Sequence, residues 1–186
     1  MPRVKQVKAA KDYPQFGIVK GDVHYYTKMK TGPRTSRELR QKTPFKRSQL
    51  TGSAFLSALY DWEDSRSDIS SHEDIQGLAD TIREIGEEER SKFDNMPEGL
   101  QQGDTGQLLE QRAEACETAA GELEEIASEW ETALDEHNEL VEAFGRFSDD
   151  PDAWRAEHEG EDDPEEPDDF DDEDYKTRVN DIEVNP

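Results

Sequence analysis

Cysteine is almost missing from this chain: its 186 residues hold a single one, Cys116. One thiol excludes an internal disulfide and any cysteine-rich zinc site. Long apolar runs are missing too. No stretch approaches the roughly 18 to 20 apolar residues of a membrane-spanning helix, and no charged-then-apolar signal segment opens the sequence. The expectation is a protein with no membrane attachment, working in a cytoplasm. Apolar side chains make up only 31% of residues and aromatic ones 8%, short of ordinary globular usage. That argues against one large core and favours helical hairpins, small modules and disordered segments. Positive charge is the last shortage. Lys+Arg number 22 against 47 Asp+Glu, for a net charge of −25, a pI near 4.4 and a mean hydropathy of −1.10.

Catalytic patterns are equally sparse. His24, His72, His137 and His158 form neither zinc-ligand nor HExxH spacing, and a metal site needs three or four convergent ligands. Cys116 has Glu114 and Glu117 beside it, neighbours that raise a thiol pKa rather than lower it, so it reads as a packing residue. Gly103-Asp104-Thr105-Gly106 lacks the lysine and the strand context of a phosphate loop. Among 47 carboxylates, chance acid pairs are inevitable. A non-enzymatic protein with no cofactor and no metal is expected.

What is present is polarity of charge along the chain. Residues 1–50 carry thirteen cations and three acids, net +10; residues 51–148 carry six cations and 26 acids, net −20; residues 149–186 carry three cations and 18 acids, net −15. Three segments are read from these steps: a basic module over 1–50, an acidic helical region over 51–148 and a disordered acidic tail over 149–186.

The basic module is expected to contain β-structure. Gly17-Ile18-Val19 and Val23-His24-Tyr25-Tyr26 are β-prone runs around Lys20-Gly21-Asp22, a turn in which glycine tolerates positive φ. Tyr25 and Tyr26 fall on opposite faces of such a strand. Thr31-Gly32-Pro33 punctuates the loop that follows.

Helices are expected at about 51–62, 70–96 and 105–147. The first has Phe55, Leu56, Leu59 and Tyr60 as its apolar stripe. The second opens on Ser71 and Asp74, a capping-box variant, and carries Ile75, Leu78, Ile82, Ile85, Glu89, Phe93 and Met96 at steps of three and four. The third carries Leu109, Ala113, Cys116, Ala120, Leu123, Ala127, Trp130, Leu134, His137, Val141 and Phe144 in the same rhythm, with Asp104 and Gln107 offering a cap. The two long helices should return on each other as an antiparallel hairpin or coiled coil. The fold class is mainly α, with the β-containing module before the hairpin and the disordered tail after it. Helix three outruns helix two, so its far end needs cover, supplied either by residues 51–62 or by a second copy in a homodimer. Sixteen acids in 26 residues with Pro151, Pro164 and Pro167 underlie the expected disorder, although Tyr175, Val179, Ile182 and Val184 could dock as a short motif.

The segments Lys11-Asp12-Tyr13-Pro14, Gly17-Ile18, Lys20-Gly21-Asp22, Tyr25-Tyr26 and Arg47-Ser48-Gln49-Leu50-Thr51, with Lys92-Phe93-Asp94-Asn95-Met96-Pro97-Glu98-Gly99-Leu100-Gln101-Gln102-Gly103, resemble a family of small bacteriophage and prophage proteins. They span about a third of the chain. The resemblance implies context rather than activity: a phage or mobile element, acting in the host bacterial cytoplasm. The Lys-Gly-Asp turn with paired tyrosines is also similar to part of a zinc-ribbon or treble-clef hairpin, without the metal cysteines.

Two binding chemistries follow from the charge. A rod bearing Glu84, Glu87, Glu88, Glu110, Glu114, Glu117, Glu124, Glu125 and Glu131 presents carboxylates at spacings comparable to nucleic-acid phosphates. It suits the basic groove of a nucleic-acid-handling protein of host or phage, as a mimic or inhibitor. The alternative uses the basic module, with Lys5, Lys8, Lys11, Arg34, Arg37 and Arg40 for phosphates and Tyr25 and Tyr26 for stacking, to bind nucleic acid directly. A third reading is a virion structural or scaffold protein assembling through the apolar seam.

Overall fold

The chain divides into two units, Met1–Ser65 and Arg66–Pro186, in a computed structural model that describes residues 2–30, 32, 34–160 and 162–184. The sequence steps at 50 and 148 lie elsewhere, for a physical reason. The first helix is tied to the segment before it, and the acidic tail is tied to the long helices.

The N-terminal unit holds a three-stranded antiparallel sheet of β1 (Lys5–Lys8), β2 (Val23–Lys30) and β3 (Ser36–Gln41), in the order β1-β2-β3. Tyr26 stands opposite Lys5 on one side and Arg40 on the other. The hairpin partner differs from the expected one. Residues 17–19 contribute only an isolated bridge between Tyr13 and Ile18, and β2 pairs with β1 instead. Gly21, at φ +99°, donates its N–H to the Ala9 carbonyl at 2.9 Å, while Ala9 donates to Asp22 at 2.8 Å. Those bonds draw the preceding strand alongside and fold Ile18 and Ala9 into the core. Thr31 and Pro33 of the punctuated loop lie outside the described residues.

Helix α1 (Ala54–Ser65) starts where the Ser53 hydroxyl accepts the Leu56 N–H at 3.3 Å. It buries Phe55, Leu59 and Trp62, whereas Leu56 and Tyr60 are half-buried. Tyr60 lies 4.1 Å beneath the Arg47 guanidinium. Arg47 also bonds Glu63 at 2.8 Å, and Ser57 donates to the Ser48 carbonyl at 3.1 Å. These contacts bind α1 to the basic segment and move the boundary to residue 65.

The second unit is built on α2 (His72–Asp94) and α4 (Asp104–Asp149), joined through the short α3 (Glu98–Gln101). The Ser71–Asp74 capping box forms as expected. The expected cap at Asp104 and Gln107 does not: Gly103 is the N-cap and no side chain serves, because the Gln107 N–H already donates to the Gly103 carbonyl. The connector is closed by Gln101, whose amide donates to the Phe93 and Met96 carbonyls, each at 3.1 Å.

The helices α2 and α4 run antiparallel: Glu89 meets Arg112, Gly86 meets Ala113 and Cys116, and Arg83 reaches Glu117 and Glu124. Ile75, Leu78, Ile82 and Ile85 pack on the seam of α4 from Leu109 to Trp130. Burying each large aliphatic side chain contributes about 1.5–3 kcal/mol. Gly86 permits the approach, since a Cβ there would sit 2.8 Å from Cys116 Cβ. Beyond Trp130 the seam is no longer buried: Leu134, His137 and Phe144 are half-buried and Val141 is exposed.

Where composition predicts a disordered tail, the described residues carry α5 (Pro151–Glu157) and α6 (Glu173–Asp181). Trp154, Val179, Ile182 and Val184 are buried. Tyr175, Val179 and Ile182 recur at helical spacing, and three polar anchors support them. Arg66 donates to the carbonyls of Val179, Asn180 and Ile182; Arg178 pairs with Glu129; Lys176 pairs with Asp172. At Trp130 the expected ring cover is supplied by Tyr175 and Phe170, centroids 5.3 and 6.5 Å away, while α1 belongs to the other unit.

Candidate interaction surfaces

In the N-terminal unit the β2–β3 register sets Arg40 beside Tyr26, and the loop adds Tyr13. The guanidinium lies 4.2 Å from the Tyr13 ring and 4.3 Å from the Tyr26 ring. Its Nη1 is 3.0 Å from His24 Nε2, and its Nη2 is 3.4 Å from Glu38. Arginine can only donate, so His24 Nε2 is the acceptor and the ring proton sits on Nδ1. Burial pushes the Glu38 carboxyl up, but hydrogen bonds from Arg40 and Tyr26 outweigh it and hold the group below its usual value. Of the residues proposed for nucleic acid, Arg40 and Tyr26 are thus engaged with each other, with the Arg40 side chain 12% exposed.

Others are open. Lys5, Lys8, Arg34 and Arg37 are exposed and make no ion pair among the described residues; Lys11 lies 5.7 Å over Tyr13. Tyr25 is half-buried, opposite Gln6 and Gln41. Arg37 also lines a groove of about 530 Å³ with Phe16, Met29, Leu39, Phe45 and Gln49. The sequence carries no spacing signal for this groove, because its residues come from β2, β3 and the segments before and after them, and meet only in the folded unit.

In the helical unit the predicted carboxylates reach the surface. Glu84, Glu87, Glu114, Glu125 and Glu131 are exposed and without an ion pair among the described residues; Glu110 is half-buried. Arg83 engages Glu124 at 2.7 Å and Glu117 at 4.0 Å, and Lys92 engages Glu88 at 3.8 Å. The hydrogen bond to Glu124 raises the Arg83 pKa further. Glu89 is the exception to the outward pattern. It is 2% exposed and held between Lys92 and Arg112.

Cys116 is fully buried behind this pair. Burial, and then the Glu89 charge, push its thiol up to about 11. The direction matches the sequence reading, but the cause is burial first and then Glu89 across the hairpin, rather than Glu114 and Glu117. His137 is half-buried against Phe170, 5.6 Å between ring centroids.

No group of three or more His, Cys, Asp or Glu among the described residues is placed to hold a metal ion. No helix among them is long and apolar enough to cross a membrane. The chain matches no family model, no curated protein and no solved structure.

Proposed function

We propose that the chain is a non-catalytic interaction protein of a phage or prophage, acting in the bacterial cytoplasm. Its acidic hairpin, packed as a coiled coil, takes a basic nucleic-acid-handling protein and competes with nucleic acid for it. The supporting observation is how the scarce cations of this unit are placed. Arg66, Arg83, Lys92, Arg112, Arg155, Lys176 and Arg178 all have partners within it, and the surplus carboxylates face outward. Over residues 72–94 and 109–131, sixteen acids accompany four cations. That paired length is about 35 Å, so the carboxylates recur about every 2 Å, against about 1.7 Å per charge on duplex DNA. Such crowding costs stability through self-repulsion, and a cationic partner offsets it.

The free cations Lys5, Lys8, Arg34 and Arg37 favour a second reading, direct binding of nucleic acid. One experiment addresses both. The full chain is immobilised beside a variant carrying Glu84→Gln, Glu87→Gln, Glu114→Gln, Glu125→Gln and Glu131→Gln, and both are exposed to bacterial lysate and to labelled duplex. The first reading expects a basic nucleic-acid enzyme held by the native chain, released by high salt or excess DNA, and lost from the variant. Equal retention by both proteins, or recovery of capsid or tail proteins, overturns it. Duplex binding at low salt supports the second reading, and its absence ends that one.

A further inference from the structure

The apolar row of α4 that packs against α2 does not stop where α2 begins. Trp130 is the last fully buried residue of α4, yet the helix continues to Asp149, about nineteen residues or roughly 28 Å further. Along that projection Val141 and Phe144 continue the steps of the seam, and Leu140 flanks them. Leu140 is 59% and Val141 45% exposed. The row is covered on either side: Phe170 packs on His137, and Trp154 packs edge-on against Phe147 at 5.7 Å. Between His137 and Phe147 lies an open window of about 15 Å, two to three helical turns.

The surroundings of this window are strongly acidic. Asp135, Glu136, Glu139 and Glu142 are all exposed, and Arg146 is the single cation between 131 and 149. A second copy laid on the window would bring two such rims together, and like charges so juxtaposed repel. We propose that this window docks one amphipathic, cationic helix of a partner protein, its apolar face on Leu140, Val141 and Phe144 and its lysines or arginines on the acidic rim. Continuity with the α2-covered seam selects a helix as occupant, and the rim selects its charge. The inference deepens the functional reading above, since it rests on a basic protein partner and names where that partner seats.

The test uses the full chain and two labelled synthetic probes. One is an amphipathic Leu/Lys peptide, and the other has the same composition scrambled so that no apolar face forms. Leu140→Gln, Val141→Gln and Phe144→Gln are combined in one variant, with unchanged far-UV circular dichroism as the folding control; glutamine keeps helix propensity. The expected result is amphipathic-peptide binding at least tenfold tighter than that of the scrambled peptide, with this difference abolished in the variant. Undiminished peptide binding by the variant overturns the proposal, as does equal binding of the two peptides. So does a dimer, measured by sedimentation, that the same three substitutions dissolve, because a second copy would then be the occupant. The hairpin variant with five glutamines keeps this window, so it separates failure of the window from failure of the broader acidic surface.

Discussion

Residues 1–65 carry thirteen cations and six carboxylates, net +7, whereas residues 66–186 carry nine cations and 41 carboxylates, net −32. In each unit the minority sign is engaged from within. Five of the six acids in the first are bonded: Asp12 by the Lys20 N–H, Asp22 by Lys42, Glu38 by Arg40, Glu63 by Arg47 and Asp64 by Lys46. In the second, seven of nine cations have partners. The charges each unit leaves outside these pairs are therefore almost all of its majority sign. The units also differ in what orders them. The hairpin has a continuous apolar seam, while the sheet has a sparse core supplemented by an arginine held between two rings and an imidazole. Charge that is structurally necessary is separated from charge that is available.

The sharpest way to break this comparison is to weaken the seam. Leu123, fully buried, changed to Ala should lower the hairpin's stability by about 2–5 kcal/mol, measured by urea unfolding through far-UV circular dichroism. A negligible change would mean that the seam does not order the unit. Next in size is Arg40→Lys. An ammonium cannot stack on both rings while bonding His24 and Glu38, so a loss of roughly 1–3 kcal/mol is expected. It would be read as faster amide exchange across Val23–Lys30. The smallest effect concerns the α2 cap. Ser71→Ala should cost about 1 kcal/mol, again by urea unfolding. Its partner Asp74 sharpens the test through pH. The Ser70 hydroxyl, then backbone N–H groups, hold the Asp74 carboxyl below its ordinary 3.8. A depressed carboxyl stabilises the fold above that ordinary value and ceases to as pH falls through the lower, folded one. The gap between native chain and Asp74→Asn should be full at neutral pH and close below about pH 4.

Much of the helical unit was legible because its signals are local. Seam residues at steps of three and four mark α2 and α4, and Ser71 with Asp74 marks a helix start. The acidic face was legible as well, since whatever is not on the seam of a long helix lies outside it. The sheet was much less so. Lys5–Lys8 and Ser36–Gln41 are almost wholly polar, and they become strands only because β2 lies between them. Tyr13, His24, Tyr26 and Arg40 are spread over 28 positions; strand pairing brings the last three together and the loop bridged at Tyr13 and Ile18 adds the first. In the tail, the density of acid and proline outweighed a real signal, the spacing of Tyr175, Val179 and Ile182.

Glu89 has a consequence beyond its own ion pairs. The large apolar residues of α2 and the alanines of α4 each recur at heptad intervals, so the register of the pair is marked by what does not recur: the Gly86 approach to Cys116 and the Glu89 carboxylate. A slide of one heptad would carry the Glu89 carboxylate about 10 Å from Arg112 and break that buried ion pair, leaving Lys92 of its own helix as the partner that travels with it. A single misplaced charge thus acts as an index mark for the pair of helices, and it fixes how far the free end of α4 reaches past its companion.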